Sequence, residues 1–218
     1  MNSFTEENYL KAIYKLTEHI VGNVTTNAIA EVMNTKAASV TDMLKKLADK
    51  KLINYERYQG VSLTKKGEEI AVQIIRKHRL WECFLVNKLN FKWDEVHDIA
   101  EELEHINSDK LINRLDEYLG FPKYDPHGDP IPTKNGVFSI TNFHKLLKLD
   151  EGDSGKIAGV SDHTNTFLQY LEKQQLGLGA SITIKEKNEY DQSVIVSTAD
   201  GRTLFLSKEV ANNILVAK

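Results

Sequence analysis

Two stretches in the middle of the chain carry imidazoles and carboxylates at helical spacing. In AVQIIRKHRLWECFL, His78 and Glu82 interrupt an apolar stripe that a helix would bury. In VHDIAEELEHI, four such side chains fall within about 100° of one another on a helix. They are His97, Glu101, Glu104 and His105. Burying these groups costs free energy unless they are paired or bind a metal, so together the stretches predict a site for a divalent cation.

Each stretch also has a simpler interpretation. A helix face rich in glutamate is usually solvated, and a His–Glu pair four residues apart can be a plain hydrogen bond. The catalytic metal of a hydrolase uses the same ligand types, but no nucleophile motif, glycine-rich phosphate loop or HExxH motif accompanies them. We favour a metal-binding protein that is not an enzyme, with a metallohydrolase carrying a helical accessory domain as the alternative.

The first third of the chain predicts the elements of a winged helix-turn-helix. Ser3 and Glu6 have the spacing of a capping box at the start of a helix. A short helix capped at Thr26 or Asn27 follows, and TKAASVTDMLKKLADKK then repeats apolar residues at helical spacing. LINYERYQGVSLT predicts two short strands around Gln59. This order of elements is typical of DNA-binding domains whose recognition helix enters the major groove.

Polar side chains on the recognition helix and the hairpin tip are the candidate DNA contacts. Lysines neutralise phosphates, and short hydroxyls bond phosphates or base edges. An ordinary solvated helix face would carry similar residues. The candidates are Thr26, Lys36, Ser39, Thr41, Asp42, Lys45, Lys46, Arg57, Tyr58 and Gln59.

Length, charge and cysteine content set the class of protein. The 218 residues include 28 basic and 31 acidic side chains, and 41% are hydrophobic, as in folded globular proteins. No apolar run approaches the ~20 residues of a membrane-spanning helix, and the acidic N-terminus lacks the layout of a secretory signal. The lone Cys83 excludes an internal disulfide. We therefore expect a soluble cytoplasmic protein with no membrane partner.

The composition changes at a proline-rich stretch. All four prolines lie in GFPKYDPHGDPIPTKNG, where neither a helix nor a central strand can continue. Short alternating apolar runs follow, with a hairpin signal at Asp200-Gly201 and one helix near 163–173. We predict a mainly α protein with a β module. Its three domains are a winged helix-turn-helix at 1–76, a helical metal-binding domain with the proline-rich loop at 77–142, and a small β-barrel-like domain at 143–218.

These motifs together resemble the diphtheria-toxin-repressor family of metal-dependent transcription regulators. The order of a winged helix, RKHRLWE, VHDIAEELEHINSD, PHGDPIP and a terminal β module matches over essentially the whole chain. The chain is most similar to the manganese-responsive branch with a C-terminal SH3-like (FeoA-type) domain. The resemblance implies a homodimeric repressor that binds palindromic operator DNA, controls metal-uptake genes and takes no small-molecule substrate. Its dimer surface would use Trp81, Phe84, Leu85, Leu111 and Leu115.

The resemblance also implies a principal metal site. Its ligands would be Glu101, Glu104 and His105, with His78 close by and Asn8 from the first helix. Glutamate at position 101, where iron-responsive members carry cysteine, resembles the manganese type, and hard oxygen ligands suit Mn²⁺. Asn8 departs from the aspartate of manganese-responsive members and removes one negative charge. We expect Mn²⁺ as the cofactor, with Fe²⁺ as the alternative and Zn²⁺ or other divalent ions binding in vitro.

A second metal site is implied by the PHGDPIP loop. Asp125 and His127 would lie near Glu82, with Asp162 reaching in from the C-terminal domain. Asp125 stands where this loop usually has cysteine, which again exchanges sulfur for oxygen. Without a metal, the loop would be a proline-stiffened linker and Asp162 a helix cap. An alternative second site combines His78, Glu82 and His97.

One further interpretation stays open at the level of the residues. A winged-helix regulator could respond to another ligand and carry a structural metal or none. DNA binding that does not depend on metal would select this alternative.

Overall fold

The computed structural model describes residues 2–18, 22–56, 59–140 and 142–218. Its helices are α1 (Phe4–Thr17), α2 (Thr26–Val32), α3 (Ala37–Asp49), α4 (Lys65–Leu89), α5 (His97–Leu103), α6 (Asp109–Tyr118), α7 (Asn165–Gln174) and α8 (Lys208–Asn213). Its strands are β1 (Ile53–Glu56), β2 (Gly60–Leu63), β3 (His144–Lys145), β4 (Ser154–Val160), β5 (Ser181–Lys187), β6 (Val194–Thr198), β7 (Thr203–Leu206) and β8 (Ile214–Ala217). The chain forms two compact units.

The first unit comprises residues 1–78, 101–113 and 132–137. It contains α1, α2 and α3, followed by the antiparallel hairpin of β1 and β2, which is the predicted winged-helix order. The apolar faces of these elements share one core, in which Leu10 and Leu44 are fully buried. This core determines which face of the recognition helix α3 points outward.

The starts of the first two helices show how local sequence sets their bounds. Ser3 and Glu6 form the predicted capping box at the start of α1. The predicted cap of α2 is wrong. The hydroxyl of Thr25, rather than Thr26 or Asn27, accepts a hydrogen bond from the backbone N–H of Ala28 at 3.2 Å. Three consecutive residues in TTN can cap a helix, and the first of them does.

The second unit comprises residues 79–100, 114–131 and 138–218. Its six-stranded antiparallel sheet has the order β3-β8-β4-β5-β6-β7, and α7 contributes Leu168 and Leu171 to the same apolar core. The hairpin predicted at Asp200-Gly201 joins β6 to β7. It has a three-residue loop rather than a two-residue one, because Thr198 N–H donates to the carbonyl of Arg202.

The proline-rich loop folds back on itself within the second unit. Tyr124 and Pro130 form an isolated antiparallel bridge, and Asp125 N–H donates to the carbonyl of Asp129 at 3.0 Å. As predicted, no helix or central strand runs through this stretch of the described chain. The tight turn buries the side chains of Asp125 and His127.

The segment after α5 departs from the prediction. α5 ends at Leu103, so Glu104 and His105 lie in the following turn rather than on the helix face expected for them. A new helix begins shortly afterwards, because the hydroxyl of Ser108 accepts from the backbone N–H of Leu111 at the start of α6. A turn therefore positions these two side chains.

Candidate metal centres

Glu104 is the centre of a polar cluster inside the first unit. Its side chain is fully buried, with Oε2 2.7 Å from Nδ1 of His78 and Oε1 2.6 Å from Nζ of Lys11. α4 supplies the imidazole and α1 supplies the ammonium. Both oxygens of a carboxylate without solvent access are therefore used, which offsets its desolvation.

Lys11 is the member of this cluster that sequence reasoning missed. Its Nζ lies 2.5 Å from Oε1 of Glu101 as well as 2.6 Å from Oε1 of Glu104, and its side chain is buried. A lysine between the core residues Leu10 and Ile13 was the available signal. Its partners lie 90 and 93 residues further along the chain, so no local pattern could identify them.

His105 is held by two residues of α1. Its Nδ1 lies 2.7 Å from Oε2 of Glu7, and its ring stacks on Phe4 with centroids 4.6 Å apart. A carboxylate only accepts hydrogen bonds, so Nδ1 donates and the neutral ring keeps its lone pair on Nε2. Nε2 lies 3.9 Å from Oε1 of Glu104. Metal-binding histidines usually bond a carboxylate in this way through their other nitrogen.

The donors of the first cluster fit a divalent ion. The side-chain oxygen of Asn8, the residue after Glu7, is buried and has no hydrogen-bond partner within the described part of the chain. A buried acceptor without a partner costs free energy, and a cation would satisfy it. Carboxylate and amide oxygens with an imidazole nitrogen form a hard donor set that suits Mn²⁺ or Fe²⁺.

A second cluster lies in the second unit, where Glu82 of α4 meets the proline-rich loop. Ligand atoms of Glu82, Asp125 and His127 all lie within 4.8 Å of one another, and the three residues are buried. Nδ1 of His127 lies 3.6 Å from Oε2 of Glu82 and 4.0 Å from Oδ1 of Asp125. Because metal–ligand bonds are about 2 Å long, these atoms could ligate one ion placed between them.

The electrostatics of the second cluster show an excess of negative charge. Nε2 of His127 donates to the carbonyl of Trp93 at 2.8 Å, so Nδ1 faces the carboxylates. Burial alone would lower the pKa of His127, but its hydrogen bond to Glu82 and the charges of Glu82 and Asp125 raise this pKa to about 9. Burial, followed by the charges of Glu82 and Asp129, raises the pKa of Asp125 to about 7. Protons on these groups balance charge that a cation would otherwise balance.

Arg79 holds the proline-rich loop in this conformation. Its guanidinium donates to the carbonyl of Pro130 at 2.6 Å and to Oδ2 of Asp129 at 2.9 Å, and its Nε lies 3.6 Å from Oδ2 of Asp125. Oδ1 of Asp125 accepts from the backbone N–H groups of His127 and Asp129. Asp125 is therefore positioned by the turn and by Arg79, a role that sequence reasoning did not assign.

The remaining predicted ligands of the second site have other contacts. Oδ1 of Asp162 accepts from the backbone N–H of Thr164 at 2.9 Å, which is an Asx turn. It is not a helix cap, because the N-cap of α7 is Thr164, whose own side chain makes no capping hydrogen bond. Nδ1 of His97 lies 3.7 Å from Oε1 of Glu82, and the side chain of His97 is 48% exposed. His97 therefore lies at the edge of the second cluster. The ligand roles of both residues stay predictions.

The predicted DNA contacts of the first unit differ in exposure. Thr26 is partly buried, as is Thr41, whose hydroxyl donates to the carbonyl of Ala37 at 2.9 Å. Arg57 and Tyr58 lie outside the described residues. The exposed candidates are Lys36, Ser39, Asp42, Lys45, Lys46 and Gln59.

Two lysines near the end of the recognition helix reach back to α1. Nζ of Lys46 and of Lys50 lie 3.1 Å and 2.8 Å from Oε1 of the buried Glu6. Burial alone would raise the pKa of Glu6, but hydrogen bonds from Lys50, Ser3 and Lys46 lower it to about 2. A phosphate contact of Lys46 would therefore have to share or break this ion pair.

Comparison with known proteins defines the class of this fold. The iron-dependent repressor N-terminal DNA-binding domain matches residues 2–61, the iron-dependent repressor metal-binding and dimerisation domain matches 64–133, and the FeoA domain matches 144–218. A manganese-dependent transcriptional repressor in complex with manganese has a TM-score of 0.85 and is 36% identical, over 98% of this chain and 99% of its own. The fold is that of a metal-dependent transcriptional repressor.

Relatives in sequence agree with this class. The iron-dependent repressor IdeR of Mycobacterium leprae is 27% identical over 224 residues, which cover 98% of this chain and 97% of that protein. A probable metal transport system membrane protein of Chlamydia trachomatis is 44% identical over 88 residues, but these are 40% of this chain and only 19% of that protein. The chain belongs to the diphtheria-toxin-repressor family of iron- and manganese-dependent repressors.

Membership of this family confirms several predictions. The chain combines an N-terminal DNA-binding domain, a helical dimerisation domain and a C-terminal FeoA domain with an antiparallel sheet. Divalent-metal binding is confirmed, as is the prediction that the protein is a repressor rather than an enzyme. Among the described residues, no helix has both the length and the apolar character needed to span a bilayer.

Proposed function

We propose that this chain is a homodimeric, Mn²⁺-activated repressor that binds palindromic operator DNA and controls metal-uptake genes in the cytoplasm. The double role of α1 carries the proposal. Glu7 and Lys11 of this helix face the first cluster, whereas Glu6 on a neighbouring face holds the recognition helix. Since α1 is one continuous helix, a shift of its cluster side also moves its contact with α3.

The residues of the first cluster would hold the ion. Glu101, Glu104 and His105 would ligate it, with His78 and Asn8 as further donors. A divalent cation would neutralise carboxylates that otherwise repel one another. The bond between Glu7 and His105 keeps Nε2 of the imidazole directed at the cluster, which ties the position of α1 to ligation.

The second cluster would hold a further ion through Glu82, Asp125 and His127. His97 lies 3.7 Å from Glu82, whereas the contact of Asp162 is with the backbone of Thr164. We therefore favour His97 as the next ligand. A metal ion at this site would make the conformation of the proline-rich loop depend on the metal concentration.

The proposed domains are 1–76 for DNA binding, 77–142 for dimerisation and metal binding, and 143–218 for the SH3-like module. Two DNA-binding domains in a dimer would reach half-sites one helical turn apart. The expected dimer surface needs correction, because Trp81, Leu85 and Leu115 are buried within the single chain. Leu111 of the expected surface is exposed, and Leu89, Tyr118 and Phe121 are further exposed apolar side chains that could take the place of the buried ones.

One observation favours a second candidate function. The ammonium of Lys11 already neutralises part of the first cluster. A regulator whose cluster is balanced by this lysine would bind DNA without metal and would respond to another ligand.

DNA binding with and without metal separates the two candidates. Duplexes selected by the full-length protein from a randomised pool, in Mn²⁺ and in chelator, would be titrated by fluorescence anisotropy at fixed salt. We expect specific binding only with Mn²⁺, and its loss in Glu101→Gln/Glu104→Gln. Glu102→Gln is the matched control, because Glu102 is an exposed acid next to Glu101 on α5. Equal affinity in Mn²⁺ and chelator would contradict metal gating and select the second candidate.

A further inference from the structure

We propose that Lys11 is a tethered competitor of the metal, whose ammonium takes the cation position between Glu101 and Glu104 and so sets the metal concentration at which the protein is activated. The inference rests on the proposed metal site of the first cluster. Lys11 would determine the metal affinity of this site without being one of its ligands.

The geometry places the ammonium where an ion shared by Glu101 and Glu104 would lie. Nζ of Lys11 is 2.5 Å from Oε1 of Glu101 and 2.6 Å from Oε1 of Glu104, while Oε2 of the fully buried Glu104 is bonded to His78. An ion that bridges the two Oε1 atoms would need the position of the ammonium and must therefore displace it. His78 has an imidazole that can itself ligate the ion, whereas an ammonium has no lone pair.

The side chain of Lys11 is also able to move away from the two carboxylates. An ammonium is a compact charge on a flexible four-carbon stem, so it can withdraw from two carboxylates without moving the helix that carries it. A divalent ion brings twice the charge of the ammonium to Glu101 and Glu104. Once the ion has lost its bound water, its attraction to the two carboxylates at short range exceeds that of the ammonium. The exchange is therefore reversible, and its balance depends on the metal concentration.

Competition by Lys11 affects the metal affinity of the site differently from a change of ligand. Displacing Lys11 is a step common to every divalent ion that uses Glu101 and Glu104. Its cost therefore weakens all such ions by the same factor and leaves the preference among them to the donor atoms. In the absence of metal, the same ammonium should stabilise the folded chain by relieving carboxylate repulsion.

Metal affinity of Lys11 variants tests the inference in the full-length protein. Asp125→Asn/His127→Gln would be the background, since it removes donors of the second cluster. Binding of Mn²⁺ and Co²⁺ would be measured by competition with a fluorescent chelator for Lys11→Met, for the charge-retaining Lys11→Arg and for Lys15→Met. Lys15→Met is the matched control, because Lys15 lies one turn further along α1.

We expect Lys11→Met to bind both ions at least about tenfold more tightly, and by the same factor. Lys11→Arg and Lys15→Met should not bind more tightly than the background protein. The Co²⁺ absorption spectrum should be the same with lysine or methionine at position 11, because Lys11 is not a ligand. In chelator, Lys11→Met should unfold at a lower temperature than the background, and Mn²⁺ should raise that temperature by more.

Two results would overturn the inference. The first is unchanged or weaker metal binding by Lys11→Met, and the second is a gain for one ion only. Failure of the proposed function looks different, since the background protein itself would then show no metal binding that Glu101→Gln/Glu104→Gln removes.

Discussion

Replacing Gly128 by alanine tests how the proline-rich loop is held against the sheet. Gly128 has a φ of +90°, and an added Cβ would lie 2.2 Å from the carbonyl oxygen of Ala158 and 2.3 Å from Cα of Gly159. The left-handed backbone alone costs a residue with a side chain about 1–2 kcal/mol. Contacts with the backbone of β4 relax only if the strand moves, and such overpacking adds about 1–3 kcal/mol. We therefore expect the free energy of unfolding to fall by roughly 2–5 kcal/mol.

Urea unfolding of the metal-free protein, followed by tryptophan fluorescence, would measure this loss. Trp93 reports on the region, because its ring stacks with that of His127 at a centroid distance of 6.3 Å. Gly152→Ala is the matched control, since Gly152 has a φ of +85° and no described atom beyond its two chain neighbours lies within 4 Å of an added Cβ. The free energy of unfolding of the control should fall only by the backbone cost of about 1–2 kcal/mol. Equal losses in the two variants would refute the argument that the loop is pressed against β4.

Two further predictions concern charge. Glu6→Gln removes the buried acceptor of Lys46 and Lys50 and should lower the free energy of unfolding by about 1 kcal/mol at neutral pH. The folded pKa of Glu6 is lowered from 4.5 to about 2, so this difference should be present above pH 4.5 and vanish as the pH falls towards 2. Unfolding curves that differ equally at every pH would contradict it. An Mn²⁺ ion bound at the proposed second site would replace protons on Asp125 and His127, whose pKa values are raised to about 7 and about 9. Calorimetry of Glu101→Gln/Glu104→Gln at pH 7 in buffers of different ionisation enthalpy should show roughly one proton or more released per ion. A buffer-independent heat would argue against this.

Local patterns in the sequence were sufficient to predict the winged helix and to select the residues of the candidate metal centres. The capping box of Ser3 and Glu6 and the apolar stripes of α1 and α3 are encoded within a few residues of one another. His78 and Glu82 stood out because they interrupt an apolar stripe. The partners of Lys11 and Glu7 could not be predicted in this way, because Glu101 and His105 come into contact with them only through the tertiary fold.

Short strands and helix ends were also difficult to predict from the sequence. β8 has only four residues and β3 only two, and short apolar runs do not distinguish a strand from a buried helix segment. The early end of α5 depends on the competing start of α6 at Ser108, so helical periodicity alone misplaced Glu104 and His105. The error at Glu104 and His105 followed from treating a periodic pattern as longer than its helix.

If Mn²⁺ gates repression, metal and operator DNA must each strengthen the binding of the other. Mn²⁺ affinity of the full-length protein would be measured with and without a saturating selected operator duplex, at constant salt. If metal at the first cluster favours the DNA-binding conformation, the duplex must tighten Mn²⁺ by the same factor by which Mn²⁺ tightens the duplex. We expect a factor of roughly 5–150 in both directions, abolished in Glu101→Gln/Glu104→Gln. An Mn²⁺ affinity unaffected by the duplex would contradict metal-gated repression.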